Sequence, residues 1–238
     1  MDNFGTSTFT NTTISGNTAS FNGGAWTSLA PRPSPIRPSP DDGPPQGWTG
    51  DFNILTSPLI EGWYTTSGPT PTGMTGPDVP FEGTHFAYME SSGPAPTNST
   101  FSIQTPVVSI PTRGSTNLSL SFLMFGGDIG SFNIEVLQGT NIDVVFTRNG
   151  QQHTDGTFSS WEQISLDLSS YAGTDVSIQF RAMKLNTGLG DIAIDDISIC
   201  HTPEPIPTLG SWALIGLALA MMILGLVSLK SRPIRAID

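Results

Sequence analysis

Between about Gly47 and Cys200, apolar and polar residues alternate in short runs separated by Gly, Asn, Asp and Pro. TNLSLSFLMFG sets Leu118, Leu120, Phe122 and Met124 on one side at period two, and SFNIEVLQG does the same with Phe132, Ile134 and Val136. WEQISLDL continues with Ile164, Leu166 and Leu168, and TDVSIQFRA with Val176, Ile178, Phe180 and Ala182. Side chains two apart share one face of a strand, so each run predicts a strand with one buried face. At least seven such runs, no amphipathic helical period, and turn pairs such as Asn149-Gly150 between IDVVFTR and QQHT predict an all-β domain of two antiparallel sheets packed face to face. About 150 residues suffice to bury such a core. In DIAIDDISI the alternation carries Ile192 and Ile194, then breaks phase at Asp195-Asp196 before Ile197 and Ile199, which predicts a β-bulge.

A different pattern closes the chain. Trp212 to Leu229 are eighteen consecutive uncharged residues, nine of them Leu, Ile or Val, with only Gly216, Gly225 and Ser228 interrupting. A core helix of a soluble domain, the other reading of such a run, would show a polar face, and this one is apolar all round. As a helix it reaches roughly 27 Å, against a hydrocarbon core of about 30 Å. It predicts one transmembrane helix over 212–229, and the cluster Lys230, Arg232 and Arg235 after it predicts that residues 233–238 stay in the cytoplasm while the preceding part lies outside.

The first residues, MDNFGTSTFTNTTISGNTAS, have neither the basic n-region nor the apolar h-region of a secretory signal peptide. The expectation is a start that lies inside a longer gene; the alternative is insertion through the C-terminal helix after synthesis. Within 1–29, FTNTTISGNTASFNGGA reads either as one rung of a Ser/Thr/Asn/Gly-rich parallel β-helix, which needs neighbouring rungs for stability, or as a plain polar tail. Residues 30–46 open with APRPSPIRPSPDDGPP, where seven prolines in sixteen residues predict an extended polyproline II spacer and a domain boundary.

Charge narrows the partners. Nineteen of the twenty acidic residues and six of the nine basic ones precede Ile206, an excess of thirteen negative charges. Such a surface repels phosphate backbones and argues against nucleic acid. Cys200 is the single cysteine, so no internal disulfide helps hold the fold. His85, His153 and His201 lie apart without ligand spacing, and no nucleophile elbow or phosphate loop is present, so the expectation is that the chain is not an enzyme. Catalysis by paired carboxylates on a carbohydrate is the competing class, and its separations are invisible in sequence. Trp161 and Tyr171 flank a strand with aliphatic inward positions and read as packing residues or as platforms for sugar stacking. Asp195 and Asp196 repel each other unless a cation sits beside them. Calcium, with its flexible shell of oxygen ligands, is one reading, and solvated or turn-capping carboxylates are the other.

Two resemblances organise these observations. GDFNILTSPLIEGWYTTSGPTPTGMTGPDVPFEGTHFAYMESSG, then SSWEQISLDLSSYAGTDVSIQFRA and LGDIAIDDISIC, together resemble a MAM domain, the extracellular module of meprins, neuropilins and receptor tyrosine phosphatases that also occurs in bacterial surface proteins. The resemblance implies a jelly-roll β-sandwich over 47–201 used for adhesion or recognition, through loops at one end. By match it also implies a structural calcium held by Asp51, Asn53 and Asp196. Animal members carry bridging cysteine pairs that this chain lacks. Ile206-Pro207-Thr208-Leu209, then Trp212, the apolar run and the basic cluster resemble an IPTL-CTERM protein-sorting segment of Gram-negative bacteria over 204–232, with Gly210 and Ala213 where the family more often has Ser and Gly. That resemblance implies export, retention in the membrane and processing by an exosortase-like sorting protease. The function expected is that of an exported, membrane-anchored surface protein recognising a glycan or protein ligand. The alternative is the anchor-bearing fragment of a larger β-helical adhesin.

Overall fold

A computed structural model of the chain describes residues 44–53, 61–185, 188–204, 215–216 and 218–224. Eleven strands form among them: β1 (Thr49–Gly50), β2 (Gly62–Thr66), β3 (Phe86–Glu90), β4 (Thr100–Gln104), β5 (Val108–Ser109), β6 (Ser115–Phe125), β7 (Ile129–Gln138), β8 (Asn141–Asn149), β9 (Glu162–Asp167), β10 (Asp175–Lys184) and β11 (Asp191–Thr202). The first sheet has the order β1-β4-β10-β7-β8, with β5 also pairing β10. The second has the order β2-β3-β11-β6-β9. Every strand pair is antiparallel, and the two sheets form a sandwich.

The period-two runs do what alternation requires. Leu118, Leu120, Phe122 and Met124 from β6 meet Phe132, Ile134 and Val136 from β7 and Val176, Ile178, Phe180 and Ala182 from β10 in one buried cluster. Ile164 and Leu166 of the edge strand β9 pack against its rim, half-buried. The phase break in β11 is a bulge: register shifts between Asp195 and Ser198, Asp196 adopts a left-handed φ of 47°, and Ile197 returns to the core.

One turn differs from expectation. The β7–β8 hairpin reverses at Gly139, whose φ of 60° suits glycine, but Asn149-Gly150 does not start a second hairpin. Instead Gly150 N–H donates to Gly130 O, and both Gln152 and His153 donate to Met124 O. The chain therefore crosses from β8 to the end of β6 in the other sheet, and QQHT is not a strand.

The second sheet is buried on both faces over β2, β3 and the adjoining halves of β6 and β11, while the outward side of the edge strand β9 is exposed. β3 reads FAYME: Ala87 and Met89 enter the main core, while Phe86 and Tyr88 face outward into a second cluster with Tyr64, Leu123, Trp161 and Ala193. The 67–85 segment and the 153–161 segment cover that cluster. Trp161 Nε1 donates to Val79 O at 3.1 Å and its ring meets Phe86 edge-on. Trp161 and Tyr171 are both buried, so of their two sequence readings packing holds.

A short segment ties the sheets at one edge. β1 pairs with β4 of the first sheet, and three residues later Asn53 N–H donates to Trp63 O of the second. Trp63 Nε1 donates across to Phe101 O at 3.1 Å. Beside it, Lys184 at the end of β10 reaches Glu61, just before β2: Nζ lies 2.8 Å from Oε1 and donates to Gly93 O at 3.1 Å, with both side chains almost fully buried. Ala95 N–H adds a third donor to the Glu61 carboxylate. A side chain at Gly93 would overlap that carboxylate, so the close approach requires glycine. Burial pushes the Glu61 carboxyl up, but the Lys184 hydrogen bond, the backbone donors and the Lys184 charge outweigh it and leave it below the usual range.

The expected transmembrane helix over 212–229 is not supported among the described residues. Helix is described at 215–216 and 218–224, and among the described residues no helix is long and apolar enough to cross a membrane. The sorting residues Ile206, Pro207, Thr208, Leu209 and Trp212, the basic residues Lys230, Arg232 and Arg235, and the 1–29 and 30–43 stretches lie outside the described residues.

Removing one partner of a buried ion pair strands the other charge. Lys184→Met is expected to cost about 3–5 kcal/mol in denaturant unfolding. Adding Glu61→Gln should recover much of it, so a double-mutant cycle that comes out additive contradicts this account.

Candidate functional site

The outward side of the second sheet carries a row of carboxylates beneath the 67–85 segment. Tyr88 and Glu90 alternate on β3, and the register Ile192↔Met89 places Asp191 of β11 level with Glu90. Both acids are 0 % exposed. Glu90 Oε1 accepts the Ser92 N–H at 2.8 Å, and Asp191 Oδ2 accepts the Thr75 hydroxyl at 2.8 Å. Thr70 braces the covering loop by donating to Thr75 O at 2.6 Å. The loop lies so close that a Cβ on Gly76, φ 57°, would sit 2.7 Å from Thr70 and 3.0 Å from Asp191. Glu90 Oε2, Asp191 Oδ1 and the Tyr88 hydroxyl are buried without a hydrogen-bond partner. Among the described residues no basic side chain pairs with either acid.

Electrostatics follows from that geometry. Burial first, and the Glu90 charge second, push Asp191 up to about 7 against hydrogen bonds from Thr75, Thr70 and the Ser91 backbone. Burial and the charges of Glu90 and Asp191 drive the Tyr88 hydroxyl far above its ordinary value. Further along β11, burial pushes Asp195 up to about 6, although the backbone N–H groups of Glu82, Asp196 and Phe81 all donate to its carboxylate.

The structure distributes the expected calcium ligands. Asp51 Oδ2 accepts the Ser102 N–H at 2.6 Å, and Asn53 Nδ2 donates to Glu61 O at 2.9 Å, so both fix the sheet-crossing segment. Asp196 sits in the bulge of β11. Asn53 lies beyond β2 and is three strand spacings from β11, roughly 14 Å, and Asp196 is four residues further along from the level of Ile192, roughly 13 Å. Among the described residues no three His, Cys, Asp or Glu side chains come together as a metal cluster. Sequence reasoning passed over Glu90, Asp191 and the Glu61–Lys184 pair. A signal existed: β3 has apolar residues at both phases, which means burial on both faces, and the acid ending it then needs a partner.

Among the described residues, the outward face of the first sheet is polar and partly exposed. Ser102 and Gln104 from β4, Gln179, Arg181 and Met183 from β10, and Asn133 and Glu135 from β7 alternate with the core positions. Gln179 Nε2 donates to Glu135 Oε2 at 2.6 Å, and Arg181 lies 3.6 Å from Glu135 Oε1. Two antiparallel sheets, one partly lidded by loops and one presenting an ordered polar face, define a module of the antiparallel β-sandwich class. A match to the family described as MAM domain, meprin/A5/mu, runs over residues 57–203, and the chain belongs to that family.

Solved structures of similar fold include the K1 cleaved adhesin domain of Lys-gingipain from Porphyromonas gingivalis W83, at 19% identity and TM-score 0.44, covering 68% of this chain and 95% of that one. The K3 cleaved adhesin domain of the same protein matches at 18% identity and TM-score 0.44 over 71% and 99%. A cyclase from Fischerella sp. TAU matches at 13% identity and TM-score 0.45 over 68% and 87%. Because structures similar to this chain include a cyclase, the expectation that the chain is not an enzyme, which rested on missing motifs, is withdrawn. At these identities the likeness concerns the fold alone.

Asp191 and Asp195 hold protons in the folded state that the unfolded chain has released above about pH 4. The stability they contribute is therefore present below that pH and lost as pH rises through about 6 to 7. In chelator, Asp191→Asn is expected to gain in Tm relative to the parent as pH rises from 4 to 7, then level off. Thermal melts across a pH series check this, and a constant difference contradicts it.

Proposed function

We propose that the chain works as an exported surface or envelope protein of a Gram-negative bacterium, with the MAM sandwich as an adhesion or recognition module. In this reading the 212–229 segment spans the inner membrane, Lys230, Arg232 and Arg235 hold its end in the cytoplasm, and an exosortase-like protease acts at the Ile206–Leu209 segment. Family membership over 57–203, the acidic outer part and the apolar run followed by basic residues support it. MAM-family adhesin-like modules act outside cells, which fits a chain with few basic residues before Ile206.

The single observation that carries the recognition reading is the contrast between the two outward faces. Loops lid part of the second sheet, whereas the first sheet presents Gln104, Gln179 and Arg181 on hydrogen-bonded strands, with Glu135 buried beneath them as the partner of Gln179 and Arg181. Amides and a charge-assisted Arg–Glu pair on a flat support suit the hydroxyls of a glycan or the backbone of a protein ligand, and a rigid support keeps the ordering cost of binding low. Glu135 is 2 % exposed, so its partners Gln179 and Arg181 are held in place rather than free.

Binding of the full-length chain to arrays of neutral glycans and envelope proteins tests the reading. Specific capture is expected, with Gln179→Ala and Arg181→Ala each lowering it by about tenfold, the scale of one lost charge-assisted contact, without shifting Tm by more than a few degrees. Recovery of the intact chain in the cytosolic fraction of its host, together with no capture, would overturn it.

A further inference from the structure

The geometry points to an arginine-recognition site on the segments that cover the second sheet, formed by the exposed ring of Phe158 and the Asp155 carboxylate and fitted to a basic peptide segment of a partner protein. It lies apart from the polar face of the first sheet and needs nothing from the recognition reading given to that face.

A large apolar side chain on a surface is ordinarily single and loosely held. Phe158 is 56 % exposed in the single turn Phe158–Ser160, yet its ring stacks on Phe81 with centroids 5.5 Å apart and planes 7° apart. Phe81 meets Trp161 edge-on, and Trp161 meets Phe86 edge-on. The exposed ring is therefore the outer end of an aromatic series that begins in the second apolar cluster. Backbone bonds hold the two covering segments to each other: Asp78 N–H donates to Gly156 O at 2.8 Å, and Trp161 Nε1 donates to Val79 O. A ring fixed from below and open above is a preorganised π surface, and binding to it has little ordering cost.

Charge decides what such a surface takes. Asp155 Oδ1 accepts the Thr157 N–H and the hydroxyls of Thr157 and Ser160, residues on either side of Phe158. Among the described residues Asp155 Oδ2 accepts none of these bonds. The Ser160 bond first, then those from Thr157, hold the Asp155 carboxyl down at about 2, so it is an anion at ordinary pH. Asp78 and Glu82 on the other segment are exposed acids, and the sequence has no Lys or Arg in 44–112 or 149–180.

Elsewhere the chain completes the same arrangement for itself: the Arg148 guanidinium lies 4.4 Å from the centroid of the Phe146 ring, with Nη2 3.7 Å from Glu162 Oε1. At Phe158 the ring and the carboxylate are present, and among the described residues no guanidinium lies over them. An arginine of the partner fills that place, its plane on the ring and its N–H groups donating to Asp155 Oδ2. Lysine has no plane to stack. A sugar presents hydroxyls that ask for donors as well as acceptors, and carboxylates supply acceptors alone.

Surface plasmon resonance on the immobilised full-length chain reads the site, with an end-blocked Gly-Arg-Gly-Arg-Gly peptide as probe and its citrulline counterpart as the uncharged control. Saturable binding of the arginine peptide is expected, weaker by about threefold or more when salt rises from about 50 to about 300 mM, and none of the citrulline peptide up to about 1 mM. Phe158→Ala and Phe158→Leu should each lower affinity about fivefold, the scale of one exposed cation–π contact, because leucine keeps apolar area but has no π face. Asp155→Asn, which keeps an Oδ1 acceptor for the turn, should lower it by a similar factor, whereas Arg181→Ala leaves it within about twofold. No binding of the arginine peptide at about 1 mM overturns the site, as does equal binding of the citrulline peptide. Full affinity in Phe158→Leu overturns it as well, since the attraction then lies elsewhere on the acidic surface. Capture of a neutral glycan that Phe158→Ala abolishes, without arginine binding, overturns it in favour of a sugar. Should Asp155→Asn disturb the turn, Phe158→Leu decides alone, because that ring is exposed and its replacement leaves the core intact.

Discussion

The second sheet is covered on both of its faces over β2, β3 and the adjoining halves of β6 and β11, and that one constraint governs the molecule. A sheet with a wet face tolerates any polar residue on that face. Here the outward positions of β3, β6 and β11 lie under loops, so Tyr64, Phe86 and Tyr88 become a second apolar layer. Every polar group among them must find a partner inside the protein. Most do. Trp161 reaches Val79 O, and Asp195 collects three backbone N–H groups. Among the described residues Glu90 and Asp191 keep one buried oxygen each without a hydrogen-bond partner.

Glu61 and the Glu90–Asp191 pair show two solutions to the same problem. At the sheet-crossing edge, a lysine from the opposite sheet neutralises a buried carboxylate and joins the two layers with a charge-assisted hydrogen bond. Both partners lose water, so the pair gives little net stability against an apolar replacement, yet it is costly to break on one side. What it does fix is alignment: Glu61 precedes β2, Lys184 ends β10, and Gly93 and Ala95 close over them. Among the described residues no such cation reaches the Glu90–Asp191 pair.

The same constraint separates the two outward faces by role. Covering the second sheet with the 67–85 and 153–161 segments leaves the first sheet as the wide, ordered polar surface of the module. Its amides and charges sit on paired strands, so they are positioned by backbone hydrogen bonds and not by loops. MAM family membership and a carboxylate site behind the other sheet are thus compatible. Among the described residues one face is partly exposed and polar, and the other holds the covering segments in place.

The core was legible in sequence because period two is a local property. Leu118 to Met124, Phe132 to Val136 and Val176 to Ala182 each announce a face before any pairing is known, and the phase break at Asp195-Asp196 announces the bulge. The family was legible too, since its motifs lie within single strands and turns. The buried acid pair was not: Glu90 and Asp191 lie on strands far apart in sequence, and their proximity depends on which strands become neighbours. Nor did Asn149-Gly150 reveal its course, because a turn dipeptide does not say whether the chain returns along the same sheet or crosses to the other. Sequence by itself determined the strands, their buried faces and the class of fold, since side-chain direction alternates whatever lies opposite. Only the tertiary structure decided that β3 sits beside β11 beneath a loop. Burial and the pairing of charges depend on residues a hundred positions apart being brought within a few ångströms, as Thr75 and Asp191 are.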